Sequence, residues 1–139
     1  MTKDLVTYLG FDGDCEAAFK FYASVLNGEI LMMLRYADGP PEMPKTPEIA
    51  NKIMHVRMQI GDRVLMGGDA PTSCYQKPQG FNVNIMVETP AEADRIYAAL
   101  GEGGTVTMPI GETFFAERFG MLIDRFGTPW MVICEKQMG

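Results

Sequence analysis

The polar residues best suited to chemistry lie on a short alternating stretch in the middle of the sequence. In MHVRMQI, residues 54–60, apolar side chains alternate with His55, Arg57 and Gln59. A period of two is typical of a strand with one apolar face and one polar face. His55, the only histidine of the chain, could act as a general base or bind a metal. The Arg57 guanidinium could bind a carboxylate or a phosphate group.

The segment that follows predicts which side chain shares a face with Arg57. A glycine-bearing turn at 61–62 joins MHVRMQI to RVLMGG, residues 63–68, so the two segments are expected to form a hairpin. Counting back from the turn places Met66 directly opposite Arg57. Because directly opposite side chains share a face, Met66 is expected beside His55, Arg57 and Gln59.

Two strand-like segments in the second half of the chain carry further candidates. Alternation groups Asn82 with Asn84, and it groups Met131 with Glu135. Asparagine supplies directional hydrogen bonds, and methionine supplies adaptable apolar contact. General acid–base catalysis needs a titratable group, for which His55 and Glu135 are the candidates.

Two other residues have a structural and a chemical interpretation. Cys15 begins a predicted helix, where the helix dipole would lower the pKa of its thiol, and it is alternatively a buried core residue. Asp69 follows the hairpin, where it could cap a chain end or act as a base.

The elements that would position these residues occur twice. Apolar residues at helical spacing run through DCEAAFKFYASVLNGE and TPAEADRIYAALGEGG, and each one in the second stretch lies 75 positions after its counterpart, as Ala93 does after Ala18. Asp14 and Thr89 are suitable N-caps for the two helices. Strand-like segments flank each helix in the order β-α-β-β-β.

This duplication predicts one α+β domain over residues 1–139. Its two βαβββ modules would span about 4–69 and 79–136. The segment 37–50 contains four prolines and is expected to be a loop, which could be a flap over a pocket or a plain surface excursion.

Composition excludes several classes of protein. The net charge is −6 and the isoelectric point is near 4.7, which argues against binding to nucleic acid or to an anionic membrane. The sequence has no apolar run of membrane-spanning length and begins without a signal-peptide pattern, so a cytoplasmic protein is expected. Three widely spaced cysteines argue against a disulfide or zinc scaffold.

Several segments resemble one superfamily. YLGFDGDCEAAFKFYASVLNGEI, VLMGGD and EADRIYAALGEGGTVTMPIGETFFAERFGMLIDRFGTPWMV are similar to the PhnB-like subfamily of the vicinal oxygen chelate superfamily, which includes glyoxalase, bleomycin-resistance and dioxygenase proteins. The resemblance implies tandem βαβββ modules that form curved mixed sheets around a cavity, with helices outside, and a homodimer. Some similar proteins carry a ubiquinone-pathway methyltransferase name, but the sequence lacks a glycine-rich strand-turn-helix for a nucleotide-like methyl donor.

The resemblance also implies where metal ligands would lie. Metal-dependent members place histidine and glutamate at four positions, which correspond here to Thr7, Met66, Asn82 and Met131. None of these side chains is an imidazole or a carboxylate, and thioether sulfur suits soft Cu(I). No metal or other cofactor is therefore predicted.

The segment ETFFAERFG resembles a subfamily feature in which Phe114 and Phe115 cover the cavity mouth, and hydrophobic core is the alternative. The predicted ligand-binding residues are therefore Thr7, His55, Arg57, Gln59, Met66, Asn82, Asn84, Phe114, Phe115 and Met131.

Three functions fit these observations. The first is metal-independent binding of a small polar or anionic organic molecule, with Arg57 as the anchor. The second is a divergent lyase or isomerase in which His55 acts as a base or as a metal ligand with Glu135. The third is a dimeric structural protein whose cavity has closed.

Overall fold

The computed structural model describes residues 3–42, 46–71 and 73–136. Within these ranges the chain forms eight strands and two α-helices in the order β-α-β-β-β, repeated once. The chain divides into two compact units, Met1–Gln76 and Lys77–Gly139. Each unit holds one four-stranded mixed sheet, which confirms the α+β class. That the two modules form one domain around a shared cavity stays a prediction.

The first unit builds its sheet from four strands around one helix. The elements are β1 (Thr7–Phe11), α1 (Cys15–Leu26), β2 (Glu29–Arg35), a short 3-10 turn (Tyr36–Asp38), β3 (Ile53–Ile60) and β4 (Arg63–Asp69). The strand order is β1-β4-β3-β2, with β1 parallel to β4 and antiparallel pairing elsewhere. The predicted proline-rich loop falls between β2 and β3, and its residues 43–45 lie outside the described ranges.

The β3–β4 hairpin has the predicted register. Arg57 pairs with Met66 and Met58 pairs with Leu65. Val56 and Met58 are fully buried on the side of α1, where they join the core around Phe19. Alternation therefore turns Arg57 to the opposite side of the sheet, together with His55 and Gln59.

We call the side of each sheet that faces away from its helix the open face. In the first sheet the open face carries Tyr8, Gly10, His55, Arg57, Gln59, Met66 and Gly68. A bulge interrupts this alternation at the start of β3, because Leu34 pairs with His55 whereas the next residue, Arg35, pairs with Ile53. The extra residue turns Ile53 into the core.

The second unit repeats the arrangement. Its elements are β5 (Val83–Met86), α2 (Pro90–Gly101), β6 (Thr105–Gly111), β7 (Ala116–Ile123) and β8 (Pro129–Glu135). The strand order is β5-β8-β7-β6, with β5 parallel to β8. Trp130 and Val132 are buried on the helix side, as alternation predicts. The Trp130 indole donates a hydrogen bond of 2.8 Å to Asp124, which fixes the β7–β8 turn.

The start of each helix is fixed in a different way. Thr89 accepts a hydrogen bond of 3.2 Å from the Glu92 amide, which confirms the predicted N-cap of α2. Asp14 occupies the predicted N-cap position of α1, but its side chain makes no capping hydrogen bond. In the described part of the chain, neither helix is long and apolar enough to cross a membrane.

Candidate functional site

The open face of the first sheet carries Tyr8 where Thr7 was expected. In the parallel β1–β4 pair, Tyr8 lies beside Met66 and Thr7 lies beside Leu65, a core residue. Leu9, two positions after Thr7, is also in the core. Thr7 therefore has the parity of the helix side, and the prediction that it faces a cavity with Met66 is wrong.

The error has a physical cause in the length of one connection. The two helices are offset by 75 residues, and that offset equates Thr7 with Asn82. The sheet register instead equates Tyr8, beside Met66, with Asn84, beside Met131, an offset of 76. The second unit has one residue fewer between its first strand and its helix. The alternation of Leu9 and Phe11 as core residues was the sequence signal that could have identified Tyr8.

Tyr8 makes two defined contacts on this face. Its ring stacks on His55, with ring centroids 5.9 Å apart and an angle of 28° between the planes. Its hydroxyl donates a hydrogen bond of 3.3 Å to the Met54 carbonyl. Burial raises the pKa of Tyr8, and the nearby Cys15 raises it further. The phenol therefore stays protonated at neutral pH, and it remains about half exposed, at 53%.

A cross-strand row runs through Arg57 over all four strands. Met32 pairs with Arg57 across β2 and β3, Arg57 pairs with Met66, and Met66 lies beside Tyr8. Neighbours in such a row have Cβ atoms about 5 Å apart. The guanidinium therefore emerges between two thioether side chains, with an aromatic ring at the end of the row.

Arg57 also differs from the other arginines that can be compared with it. Arg35 pairs with Glu16 at 3.0 Å, Arg63 with Asp62 at 3.9 Å, and Arg118 with Asp94 at 3.1 Å. Arg57 makes no ion pair within residues 3–42, 46–71 and 73–136. It is a half-buried cation that pairs with no carboxylate among the described side chains.

Gln59 is engaged in a different contact. Its amide nitrogen donates a hydrogen bond of 2.9 Å to the Gly61 carbonyl at the hairpin turn. The side chain is exposed at the end of the open face, and its predicted ligand contact stays a prediction.

The open face of the second sheet is more apolar. Asn84 lies beside Met131, which pairs with Met121 on β7. Asn82 has the same parity as Asn84, but it precedes the first residue of β5 and is half-buried. Ligand binding by these residues stays a prediction.

The two predicted cavity-mouth aromatics lie in the β6–β7 connection. Phe114 is 92% exposed and packs edge-on against Phe115, with centroids 5.2 Å apart. Phe115 in turn contacts Phe119 on β7 at 5.3 Å. The exposure of Phe114 argues against the alternative of hydrophobic core, and the role at a cavity mouth stays a prediction.

Glu135 lines a cavity of about 650 Å³ within the second unit. The walls are formed by residues 86–89 with Glu112, Glu117, Glu135 and Lys136. Lys136 pairs with Glu112 at 3.0 Å and holds the pKa of that carboxyl below its usual range. The Cys134 thiol donates to Glu117 at 3.6 Å, and burial followed by this hydrogen bond raises its pKa. His55 and Glu135 belong to different units, and their joint catalytic role stays a prediction.

Asp69 and Cys15 have structural contacts. The Asp69 carboxylate is buried and accepts hydrogen bonds from the amides of Gly13, Cys15 and Ile53 at 2.8–3.0 Å. This supports the capping interpretation of Asp69 over the catalytic one. Burial, followed by the charge of Asp69, raises the pKa of the Cys15 thiol. The expectation that the helix dipole lowers this pKa is wrong, because desolvation outweighs the dipole.

The side chains at the metal positions implied by the superfamily do not fit a borderline divalent cation. The register places Tyr8 and Met66 on one open face and Asn84 and Met131 on the other. A protonated phenol, an amide and two thioethers lack the imidazole or carboxylate that such a cation prefers. Among the described residues, no three His, Cys, Asp or Glu side chains are grouped closely enough to hold a metal ion.

Two βαβββ units, each with its first strand parallel to its last, define the fold class of the vicinal oxygen chelate proteins. Residues 3–133 match the family described as 3-demethylubiquinone-9 3-methyltransferase. The chain belongs to this family, which is the PhnB-like branch of the superfamily.

Three relatives illustrate the likeness. Protein YjdN of Escherichia coli K12 is 30% identical, with 96% of each chain covered. The crystal structure of protein PA1353 from Pseudomonas aeruginosa is 40% identical and superimposes with a TM-score of 0.89, over 98% of this chain and 100% of that one. The PhnB protein of Bacillus cereus is 25% identical with a TM-score of 0.79, over 95% and 99% of the two chains.

Proposed function

We propose that this chain binds a small organic anion on the open face of its first sheet. The observation that carries the proposal is Arg57, a half-buried guanidinium that makes no ion pair with any described residue. A cation that is partly desolvated gains more from an anionic partner than a fully hydrated cation does. A carboxylate or phosphate group could accept two parallel hydrogen bonds from the guanidinium.

The surroundings of Arg57 favour an organic anion over a bare inorganic one. Met32 and Met66 flank it across the neighbouring strands, and flexible thioether side chains adapt to an irregular apolar body. His55 and Tyr8 offer ring surfaces next to the same row. A ligand with one charged group and an apolar remainder matches this arrangement.

Ligand-induced stabilisation against heat tests the proposal. Small carboxylates and organic phosphates are screened for an increase in the midpoint of thermal unfolding. An anion at 100 times its Kd should stabilise the native state by about 2.7 kcal/mol. Arg57→Gln should abolish this response.

The same hairpin offers a matched control. Arg63→Gln removes the same charge from a side chain that is 88% exposed and close to Asp62. Arg63→Gln should keep the full ligand response if Arg57 is a specific anchor. Equal responses from the native protein and from Arg57→Gln would refute the proposed function.

A second candidate function is acid–base catalysis in the cavity of the second unit. The observation that favours it is the position of Glu135 in the wall of that cavity. Any ligand that stabilises the protein should then be converted when it is incubated and followed by NMR. Glu135→Gln should stop this conversion, whereas Glu92→Gln on α2 should not.

We further propose that the chain forms a homodimer. The family resemblance supports this, and so does the exposure of Phe114. Light scattering should give twice the chain mass of 15.4 kDa. Phe114→Ser should shift the protein toward the monomer at low concentration if this side chain lies in the interface.

A further inference from the structure

The open face of the first sheet has a flat region next to the Tyr8–His55 ring pair. Gly68 lies next to Gly10 in the parallel β1–β4 pair. Neither residue has a side chain, but Gly68 is buried and only Gly10 is exposed. Their glycines are present for different reasons.

Gly68 is required by the position of the tyrosine ring. A Cβ atom at Gly68 would lie 2.6 Å from the Tyr8 hydroxyl oxygen and 2.7 Å from the Met54 carbonyl oxygen. The ring crosses β4 at this point and its hydroxyl reaches the Met54 carbonyl. The glycine therefore allows the Tyr8 ring to lie low over the sheet and beside His55.

Gly10 is required neither by packing nor by backbone conformation. A Cβ atom at Gly10 would meet nothing within 4 Å, and Gly10 is not among the residues with positive φ. It lies two residues after Tyr8 and shares its face. The missing side chain leaves open space beside a tyrosine ring that is about half exposed.

We propose that the anion bound at Arg57 carries a planar aromatic ring, which lies over Gly10 and against Tyr8. This inference rests on the proposed function. His55 and Arg57 are successive residues on one face of β3, so they are about 7 Å apart along the strand. The Tyr8 ring is 5.9 Å from that of His55. Gly10 lies on β1 and Arg57 on β3, with β4 between them, so their backbones are about 10 Å apart across the sheet. The length of the arginine side chain, together with a carboxylate attached directly to a ring, covers this distance.

Planarity is the feature that this site should select. An aromatic ring can stack in an offset manner on Tyr8 and extend the existing Tyr8–His55 pair. Ring stacking adds to affinity beyond the apolar area that is buried, by a factor of about three to ten. A saturated ring of the same size gains the area but not the stacking.

The test compares benzoate, cyclohexanecarboxylate and acetate by NMR titration of the protein. Benzoate should bind about three to ten times more tightly than cyclohexanecarboxylate. Tyr8→Leu should remove this difference, and Tyr8→Phe, which keeps the ring, should preserve it. Gly10→Val fills open space with a residue that strands favour; it should weaken both cyclic ligands and leave acetate unchanged.

The outcomes separate this inference from the proposed function. If all three carboxylates depend on Arg57 and benzoate has no advantage, the anion site stands and the aromatic selectivity is wrong. The inference also fails if Tyr8→Leu leaves the benzoate preference intact, or if Gly10→Val leaves the binding of both cyclic ligands unchanged. If none of the three carboxylates binds, this inference is overturned, and the proposed function is then decided by the wider screen of carboxylates and organic phosphates. If binding survives Arg57→Gln, the proposed function and this inference are both overturned.

Discussion

The carboxylate of Asp69 accepts a hydrogen bond of 3.0 Å from the backbone amide of Cys15, although 54 residues separate the two in sequence. The first helix is therefore capped from the end of β4 and not by its own Asp14. The same carboxylate accepts hydrogen bonds from Gly13 and Ile53. One buried side chain thus joins the β1–α1 turn, the helix and the start of β3.

Replacing Asp69 should destabilise the first unit far more than replacing Asp14. Asp69→Asn exchanges a charged acceptor of three amide hydrogens for a group that must turn donor hydrogens toward some of them. The expected loss in the free energy of unfolding is about 3 kcal/mol. Asp14→Asn should cost less than about 0.5 kcal/mol, since the Asp14 side chain makes no capping bond. Urea unfolding measures both, and similar losses would contradict the remote cap.

Cys15 should make stability depend on pH in the alkaline range. Burial raises the pKa of the native thiol above its ordinary value of 9.0. The unfolded thiol ionises above that value while the native thiol keeps its proton, so stability is present below pH 9 and falls as the pH rises further. The slope from this group approaches about 1.4 kcal/mol per pH unit.

The control for this prediction is another cysteine. Cys15→Ala should flatten the decline of the unfolding free energy above pH 9, whatever its effect on absolute stability. Cys74 is exposed in the native protein, so Cys74→Ala should leave the slope unchanged. A slope that is the same in all three proteins would rule out Cys15 as its source.

Gly67 should not tolerate even a methyl group. A Cβ atom there would lie 2.6 Å from the Phe19 ring and 2.9 Å from the Leu9 carbonyl oxygen. Gly67→Ala should therefore cost about 1–3 kcal/mol by overpacking the core. Gly111→Ala places a methyl group in open space and should change stability by less than about 0.5 kcal/mol. Thermal unfolding distinguishes the two, and equal midpoints would contradict the close packing.

Tyr97 should hold β6 to β7 through its hydroxyl. That group donates to the Met108 carbonyl at 2.8 Å and contacts the Met121 carbonyl at 3.4 Å. Tyr97→Phe should cost about 1 kcal/mol in unfolding free energy. Tyr75→Phe is the matched control, because within the described residues its hydroxyl has no partner. The prediction fails if the two variants lose the same stability.

The faces of the strands could be predicted where a turn fixes the register. The turn after Ile60 sets the pairing of β3 with β4, and parity then gives the orientation of Arg57 and Met66. The offset between the helices could not predict β1, because one residue is missing from the second strand–helix connection. The prediction therefore places Thr7 on the open face, where the structure has Tyr8, because of that one missing residue.

Contacts between distant segments were the other part that the sequence did not determine. Asp69 follows a glycine pair, so its sequence context fits a local turn residue as well as a remote cap. No neighbouring residue indicates that it contacts α1. The bulge before His55 breaks the alternation without any glycine or proline to mark it. The Tyr8–His55 stack needs a glycine at position 68, because the Tyr8 ring crosses the strand there. The sequence alone does not show that a ring lies over this position.

The convergence of three amides on Asp69 links the dynamics of segments that are far apart in the chain. The hydrogens of Gly13, Cys15 and Ile53 share one acceptor group, so we expect them to exchange with deuterium through a common opening event. Release of the amino end of α1 is then expected to loosen the first residue of the strand that carries His55 and Arg57 as well.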